Sequence, residues 1–419
     1  MNKPEITSNT LNDKPKWSLI GPGLIVAATG VGAGDLVAAL VAGTKYGLTF
    51  LWAILLGILL KFALNEGVGR YSLATGQTFL EGLKSLGKWA TGYFGVYTLI
   101  WGFVYGAAAT SSCALAAKAF YPAIPFWVYA VLHALIGCLL VLTNKYNLFE
   151  KVMSVLIGFM FVTVIGAAIL VIPNLAGILS TGIPKLPDGS LIYALGLMGG
   201  LGGSITMASY GYWLAEKRWD SKHYIKVMRI DAFTAYLLTG LFSLALLILG
   251  AAMLYGTDTT ISGEAGLVDF AKNLGNELNP AVRYAFLFGF WSASFTSVLG
   301  VWNGVSYLFA DFMRTLSASK EKKIDKRAIN QTKSYKFYVL WLTFPPMLLH
   351  FFGEPVFLII IYGALGAVFM PFLAIILMIL LNSKKIDPLQ RNHWLANTIL
   401  CVNVIIFAVL MVNELISLF

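Results

Sequence analysis

The run GPGLIVAATGVGAGDLVAALVAG, from Gly21 to Gly43, places Gly30, Gly32 and Gly34 at its centre and Asp35 directly after them. Glycine weakens a helix by about 1 kcal/mol relative to alanine, and a carboxylate at the middle of a bilayer costs about 2.5 kcal/mol or more. Both penalties in one apolar stretch predict a membrane span whose helix is broken, so that backbone groups and Asp35 face a cavity. Close helix packing is the other reading of the glycines, but packing gives no reason for a charge. A second such stretch, LIYALGLMGGLGGSITMASYGYWLA from Leu191 to Ala215, carries Gly196, Gly199, Gly200, Gly202 and Gly203, then Ser204, Thr206, Met207, Ser209 and Tyr210. Unwinding frees carbonyls that can hold a cation, and N–H groups that can face an anion. The expected shell is Asp35 as the main charge, with carbonyls near Thr29–Gly32 and Gly200–Gly203 and the Ser204 and Thr206 hydroxyls completing it.

Further polar groups fall inside apolar runs. Lys61 lies some 13 residues into the second apolar span, roughly 20 Å from its start, which is too deep for its stem to carry the ammonium clear of the hydrocarbon. It either faces the interior, paired with a carboxylate or in the place of a coupling cation, or it serves packing. Near Asp35 it would weaken attraction for a divalent ion, because like charges repel more strongly in low dielectric. Glu66 stands four residues before Arg70 and reads as a salt bridge at the helix end or as a proton relay. Tyr105 in the third span and Ser297 in the eighth offer hydroxyls to a pathway or to a neighbouring helix. His133 reads as a packing histidine. Cys113, Cys138 and Cys401 show no metal-ligand or disulfide spacing.

These residues need a membrane scaffold. The chain has 419 residues, of which 58% are hydrophobic and 12% charged, and its mean hydropathy is +0.76. That composition belongs to polytopic membrane proteins. At about 20 apolar residues per crossing, eleven spans are expected, at about 18–43, 48–70, 92–117, 124–142, 150–173, 191–214, 231–255, 282–310, 337–352, 355–381 and 394–416. Such long apolar runs exclude barrel strands. With the N-terminus inside, 24 Lys and Arg fall on the inner side and 5 on the outer, Lys61 lying within a span. The asymmetry predicts a cytoplasmic N-terminus and an extracytoplasmic C-terminus in the inner or plasma membrane. It also accounts for the net charge of +10 without nucleic acid. Residues 1–17 read as a cytosolic tail rather than a signal peptide, since no small-residue cleavage site follows a short apolar core.

Glycine breaks in the first and sixth spans predict two five-helix repeats of inverted topology, residues 18–175 and 190–381, with 394–416 as an eleventh helix. At this point the chain resembles the natural-resistance-associated macrophage protein (Nramp) family of proton-coupled divalent-metal transporters. The resemblance rests on Gly21-Pro22-Gly23, on Gly43 with Lys45-Tyr46-Gly47, and on Gly69-Arg70 with Ala74-Thr75-Gly76. Asp231 opening the seventh span, Ser294-Phe295-Thr296-Ser297 and Tyr362 to Pro371 add to it. It implies an all-α integral membrane protein of LeuT-like fold. The family's metal motifs are replaced: aligned without a gap, its Asp-Pro-Gly-Asn falls on Gly32, Ala33, Gly34 and Asp35. Its Met-Pro-His is absent, Met207 reaches the methionine position only by a shift of a few residues, and Ser209 and Tyr210 are the polar residues nearest to the missing histidine.

A thioether selects softer ions, whereas hydroxyls, carbonyls and carboxylates suit hard ones. The expected function is therefore secondary transport of a divalent cation, with Mg²⁺ or Mn²⁺ favoured, by alternating access. The alternatives are a carrier of a small organic solute or organic cation, and a transport-inactive membrane receptor or scaffold. The expected partners are the lipid bilayer and the small cation or solute, with no resident cofactor and no enzymatic activity, since no phosphate-binding loop or nucleophile elbow is present.

Overall fold

A computed structural model describes residues 21–172, 185–257, 263–317, 325–352 and 355–417. The terminal tail lies outside that range, as does the side chain of Asp35. The regular elements among the described residues are all helical. The first expected span divides into α1 (Pro22–Gly30) and α2 (Ala33–Tyr46). The next is one continuous helix, α3 (Leu51–Thr75), closed by Gly76 at φ +72°, the left-handed cap that glycine adopts without strain. A short amphipathic helix, α4 (Phe79–Ser85), begins with a reciprocal capping box between Thr78 and Glu81. The third to fifth spans are α5 (Lys88–Phe120), α6 (Phe126–Leu142) and α7 (Tyr146–Val171).

The sixth expected span also divides, into α8 (Leu191–Gly200), a 3₁₀ turn (Ile205–Ser209) and α9 (Tyr210–Glu216). Then follow α10 (Ile225–Leu254), α11 (Gly263–Glu277) and α12 (Pro280–Ser317). The short ninth span is α13 (Lys333–Met347), continued by a 3₁₀ turn over Leu348–Phe352. Pro345 and Pro346 stand in its last turn, where two missing donors explain the early end of the helix. The chain finishes with α14 (Pro355–Leu381) and α15 (Trp394–Ser417).

Among the described residues, five helices are by themselves long and apolar enough to cross a membrane: α3, α5, α7, α10 (counted with the turn before it) and α12. Large apolar side chains such as Leu55, Leu139, Val162 and Ile169 remain outside the packed interior, as lipid-facing residues do. The interior forms around α12, which packs on α1, α5, α6, α7 and α13, while α10 packs on α1, α2 and α3. The first divided span thus packs against both α10 and α12, while α8 of the sixth packs on α2, α3 and α15.

Candidate functional site

The start of α1 is held from a distance. The Asp231 carboxylate, on α10 and fully buried, accepts from Gly21 N at 3.0 Å, from Gly23 N at 2.6 Å and from the Tyr210 hydroxyl at 2.7 Å. Orphan N–H groups at a helix start attract a carboxylate through both hydrogen bonding and the helix dipole. Tyr210, expected on a pathway, is thereby engaged in a latch that joins α1, α9 and α10.

The two interruptions meet at glycine. A Cβ added to Gly30 would lie 2.0 Å from the carbonyl carbon of Gly202 and 2.1 Å from Gly203 N, so only glycine permits this crossing. Gly202 and Gly203 take φ of +75° and +90°, and Ser204 leads into the 3₁₀ turn. Gly200 ends α8, and Gly32 lies in the two-residue gap between α1 and α2, its carbonyl accepting from Leu36 N at 3.1 Å.

Carbonyls released by these breaks are met by side chains of neighbouring helices. The Thr29 carbonyl accepts from Ser297 Oγ at 2.8 Å, and Ser297 Oγ lies 2.5 Å from the Tyr105 hydroxyl. Tyr236 donates to the Gly202 carbonyl at 3.1 Å, and Lys61 Nζ to the Gly203 carbonyl at 2.6 Å. The Thr29 hydroxyl turns back on its own helix, to the Ile25 carbonyl at 2.6 Å. Among the described residues, the buried atoms without a hydrogen-bond partner include three hydroxyls of the sixth-span break, Ser204 Oγ, Thr206 Oγ1 and Ser209 Oγ, and both side-chain polar atoms of Asn65. Each such group costs about 1–3 kcal/mol if left dry, so these atoms are poised for water or cargo. Met207 is fully buried in the same 3₁₀ turn.

A cavity of about 10 Å³, room for one water, lies beside the gap in the first span and is lined by Gly32, Tyr105, Ser112, Ser294, Ser297 and Tyr362 among others. It brings Tyr105 and Ser297 to Gly32 and is rich in hydroxyls. Glu66 is elsewhere: its carboxylate is bound by Arg70 Nε at 3.0 Å and by Arg229 Nε at 2.8 Å, the ion-pair reading of its spacing. His133 accepts from Trp291 Nε1 on Nε2 at 2.7 Å and so carries its proton on Nδ1, toward the Tyr129 carbonyl. Among the described residues no three His, Cys, Asp or Glu side chains gather as a metal cluster. Sequence reasoning overlooked Tyr236 as a carbonyl partner and Asn65 as an orphan. The signal for Asn65 was available, since it follows Lys61 by one helical turn on an apolar span.

Two broken spans crossing at glycine inside a multi-span helical bundle define a polytopic membrane protein of LeuT-like architecture. Residues 23–417 match the natural resistance-associated macrophage protein-like family, and the chain belongs to it. Among curated relatives, the divalent metal cation transporter MntH of Chromohalobacter salexigens is 29% identical over 277 residues, 60% of this chain and 61% of that protein. The uncharacterized transporter YcgH of Bacillus subtilis is 28% identical over 181 residues, 42% of this chain and 40% of that one. The match therefore spans less than two thirds of either relative. A manganese transporter of Eremococcus coleocola, solved with an aromatic bis-isothiourea compound, shares the fold at a TM-score of 0.75 and 16% identity, covering 99% of this chain and 88% of that one. MhsT in complex with L-phenylalanine is similar at a TM-score of 0.57 and 15% identity, over 95% and 98% of the two chains. At these identities the structural likeness concerns the fold alone.

Proposed function

We propose that this protein is a secondary transporter of a divalent cation, Mg²⁺ or Mn²⁺, working by alternating access between two inverted five-helix repeats. The observation that carries the reading is the crossing of two broken spans at Gly30 and Gly202–Gly203, with the Ser204 and Thr206 hydroxyls buried beside it and unpartnered. Family membership supports the substrate class, and the MntH relative is itself a divalent metal cation transporter. Asp35, on α2 just past the gap, supplies the charge. Oxygen donors of this kind suit a hard ion that keeps part of its water shell. Calorimetry on the purified protein is expected to show saturable Mn²⁺ or Mg²⁺ binding that weakens at least tenfold in Asp35→Ala. Absence of heat with both metals would overturn the reading. The basic residues support a cytoplasmic N-terminus and an extracytoplasmic C-terminus, and activity of a cytosol-active reporter fused after residue 419 would overturn that orientation.

A second reading is favoured by Lys61. Its amine occupies the Gly203 carbonyl, one of the groups expected to coordinate an ion. A unit charge and a divalent ion about 5 Å apart repel by roughly 7 kcal/mol at an effective dielectric of ~20, and one carboxylate offsets only part of that. A small organic solute carrying its own carboxylate would avoid the repulsion, its carboxylate pairing with the Lys61 ammonium. Heat with such a solute, and none with metal, selects this reading.

A further inference from the structure

We propose that the Lys61 ammonium is the resident cation of the sixth-span break, a charge supplied by the chain itself at a position that would otherwise take a dissolved monovalent cation. The break ends α8 at Gly200 and releases its last carbonyls, which carry the negative end of that helix's dipole. Carbonyls of an unwound span, next to a half-helix C-terminus, are the general recipe for a site that holds Na⁺ or H⁺ in a membrane carrier.

Here the two glycine carbonyls of the break are each approached by a donor from another span. Tyr236 of α10 takes Gly202, and Lys61 of α3 takes Gly203 at 2.6 Å. Lys61 is fully buried, and its Nζ lies 5.3 Å from the centre of the Phe407 ring on α15, a π-face that also favours a cation. Among the described residues, the break and the eleventh span thus both approach the ammonium. Its place on α3, ten residues from the Leu51 start, is about 15 Å along the helix, too far for the ammonium to snorkel out.

Burying a lysine in a span costs at least about 2.5 kcal/mol, so apolar packing would be served better by leucine or methionine. What lysine brings to the position instead is a positive charge, and the structure sets that charge against the freed Gly203 carbonyl. The inference concerns the break rather than the cargo and holds for either substrate reading. It states that the protein needs no free Na⁺ or K⁺ to complete this part of its structure.

The test is thermal unfolding of the full-length purified protein in NaCl, KCl, ethylammonium chloride or choline chloride at one ionic strength. The wild-type protein is expected to melt at the same temperature in all four. Lys61→Ala should melt lower in choline and recover saturably in Na⁺, K⁺ or ethylammonium, which refill the vacated position. Lys61→Arg, which keeps the charge, should not respond. If Lys61→Ala aggregates in choline, purification in ethylammonium should restore a monodisperse protein, and aggregation in both would count against the proposal. A saturable Na⁺ or K⁺ response in the wild type, or recovery of Lys61→Ala by none of the cations, would overturn it. Because the readout is melting, failure of the divalent-ion reading leaves the result unaffected.

Discussion

Asp231 shows how much a single side chain can organise when its partners are distant in sequence. Its carboxylate accepts three hydrogen bonds, from Gly21 N, Gly23 N and the Tyr210 hydroxyl, and none of the three comes from its own helix. In Asp231→Asn the amide nitrogen replaces one acceptor oxygen and confronts a donor, so at least one buried N–H or O–H is left unmet. The expected loss is about 1–3 kcal/mol, read as a fall in melting temperature. Tyr210→Phe should cost less, about 1 kcal/mol, since it removes one donor and leaves the carboxylate its two amides. A fall in Tyr210→Phe equal to that in Asp231→Asn would show that the α1 amides contribute nothing. The sequence displayed Asp231 only as an acid opening the seventh span. Nothing local links it to amides more than two hundred residues earlier, because the hydrogen bond depends on how α1 and α10 pack.

At the scale of elements, the interruptions themselves were legible. Glycines at 30, 32 and 34 and at 199, 200, 202 and 203, set in apolar runs, predicted both breaks, and the structure divides the helices there. What the pattern could not convey was which freed carbonyls would be capped, since Tyr236, Ser297 and Lys61 come from helices whose rotation is fixed by packing. Nor does composition separate a glycine required by close approach from one that is merely tolerated. Gly30 and Gly196 illustrate the difference within the two broken spans: a Cβ at Gly30 would meet Gly202 at 2.0 Å, whereas at Gly196 nothing lies within 4 Å. Gly30→Ala should prevent the spans from crossing and yield protein that aggregates or melts far lower. Gly196→Ala, inside a helix, should be neutral or stabilise by up to about 1 kcal/mol. Melting curves and size-exclusion profiles of the two variants, compared side by side, decide this. Equal behaviour would refute the crossing.

For the molecule as a whole, the basic residues that set the expected orientation also tie one end of the bundle together. Among the described residues every ion pair between different elements lies at that end, joining Lys217 to Glu150, Lys222 to Asp387, Arg229 to Glu66 and Arg314 to Glu81. Lys326, in the 3₁₀ turn between α12 and α13, adds a strap: its Nζ donates to Ser72 Oγ at 2.9 Å and to the Gln77 carbonyl at 3.1 Å. It lines a cavity of about 480 Å³ together with Ser72, Gly76, Arg218, Asp220 and Asp325. Burial pushes the Lys326 ammonium down to about 8, against the raising effect of Glu81, Asp311 and Asp220. Its folded value thus lies below the free lysine value of 10.5, so the unfolded chain binds more protons between pH 8 and 10.5. Stability should rise with pH across that window, because the strap carries the cost of a buried charge below pH 8 and sheds it above. Lys326→Met, which keeps the apolar stem but cannot titrate, should flatten the slope and leave the remaining pH dependence in place. Melting temperatures from pH 7.5 to 10 for the two proteins measure it. An unchanged slope in the variant would mean that the Lys326 ammonium stays charged across the window and that its burial contributes nothing to the pH dependence.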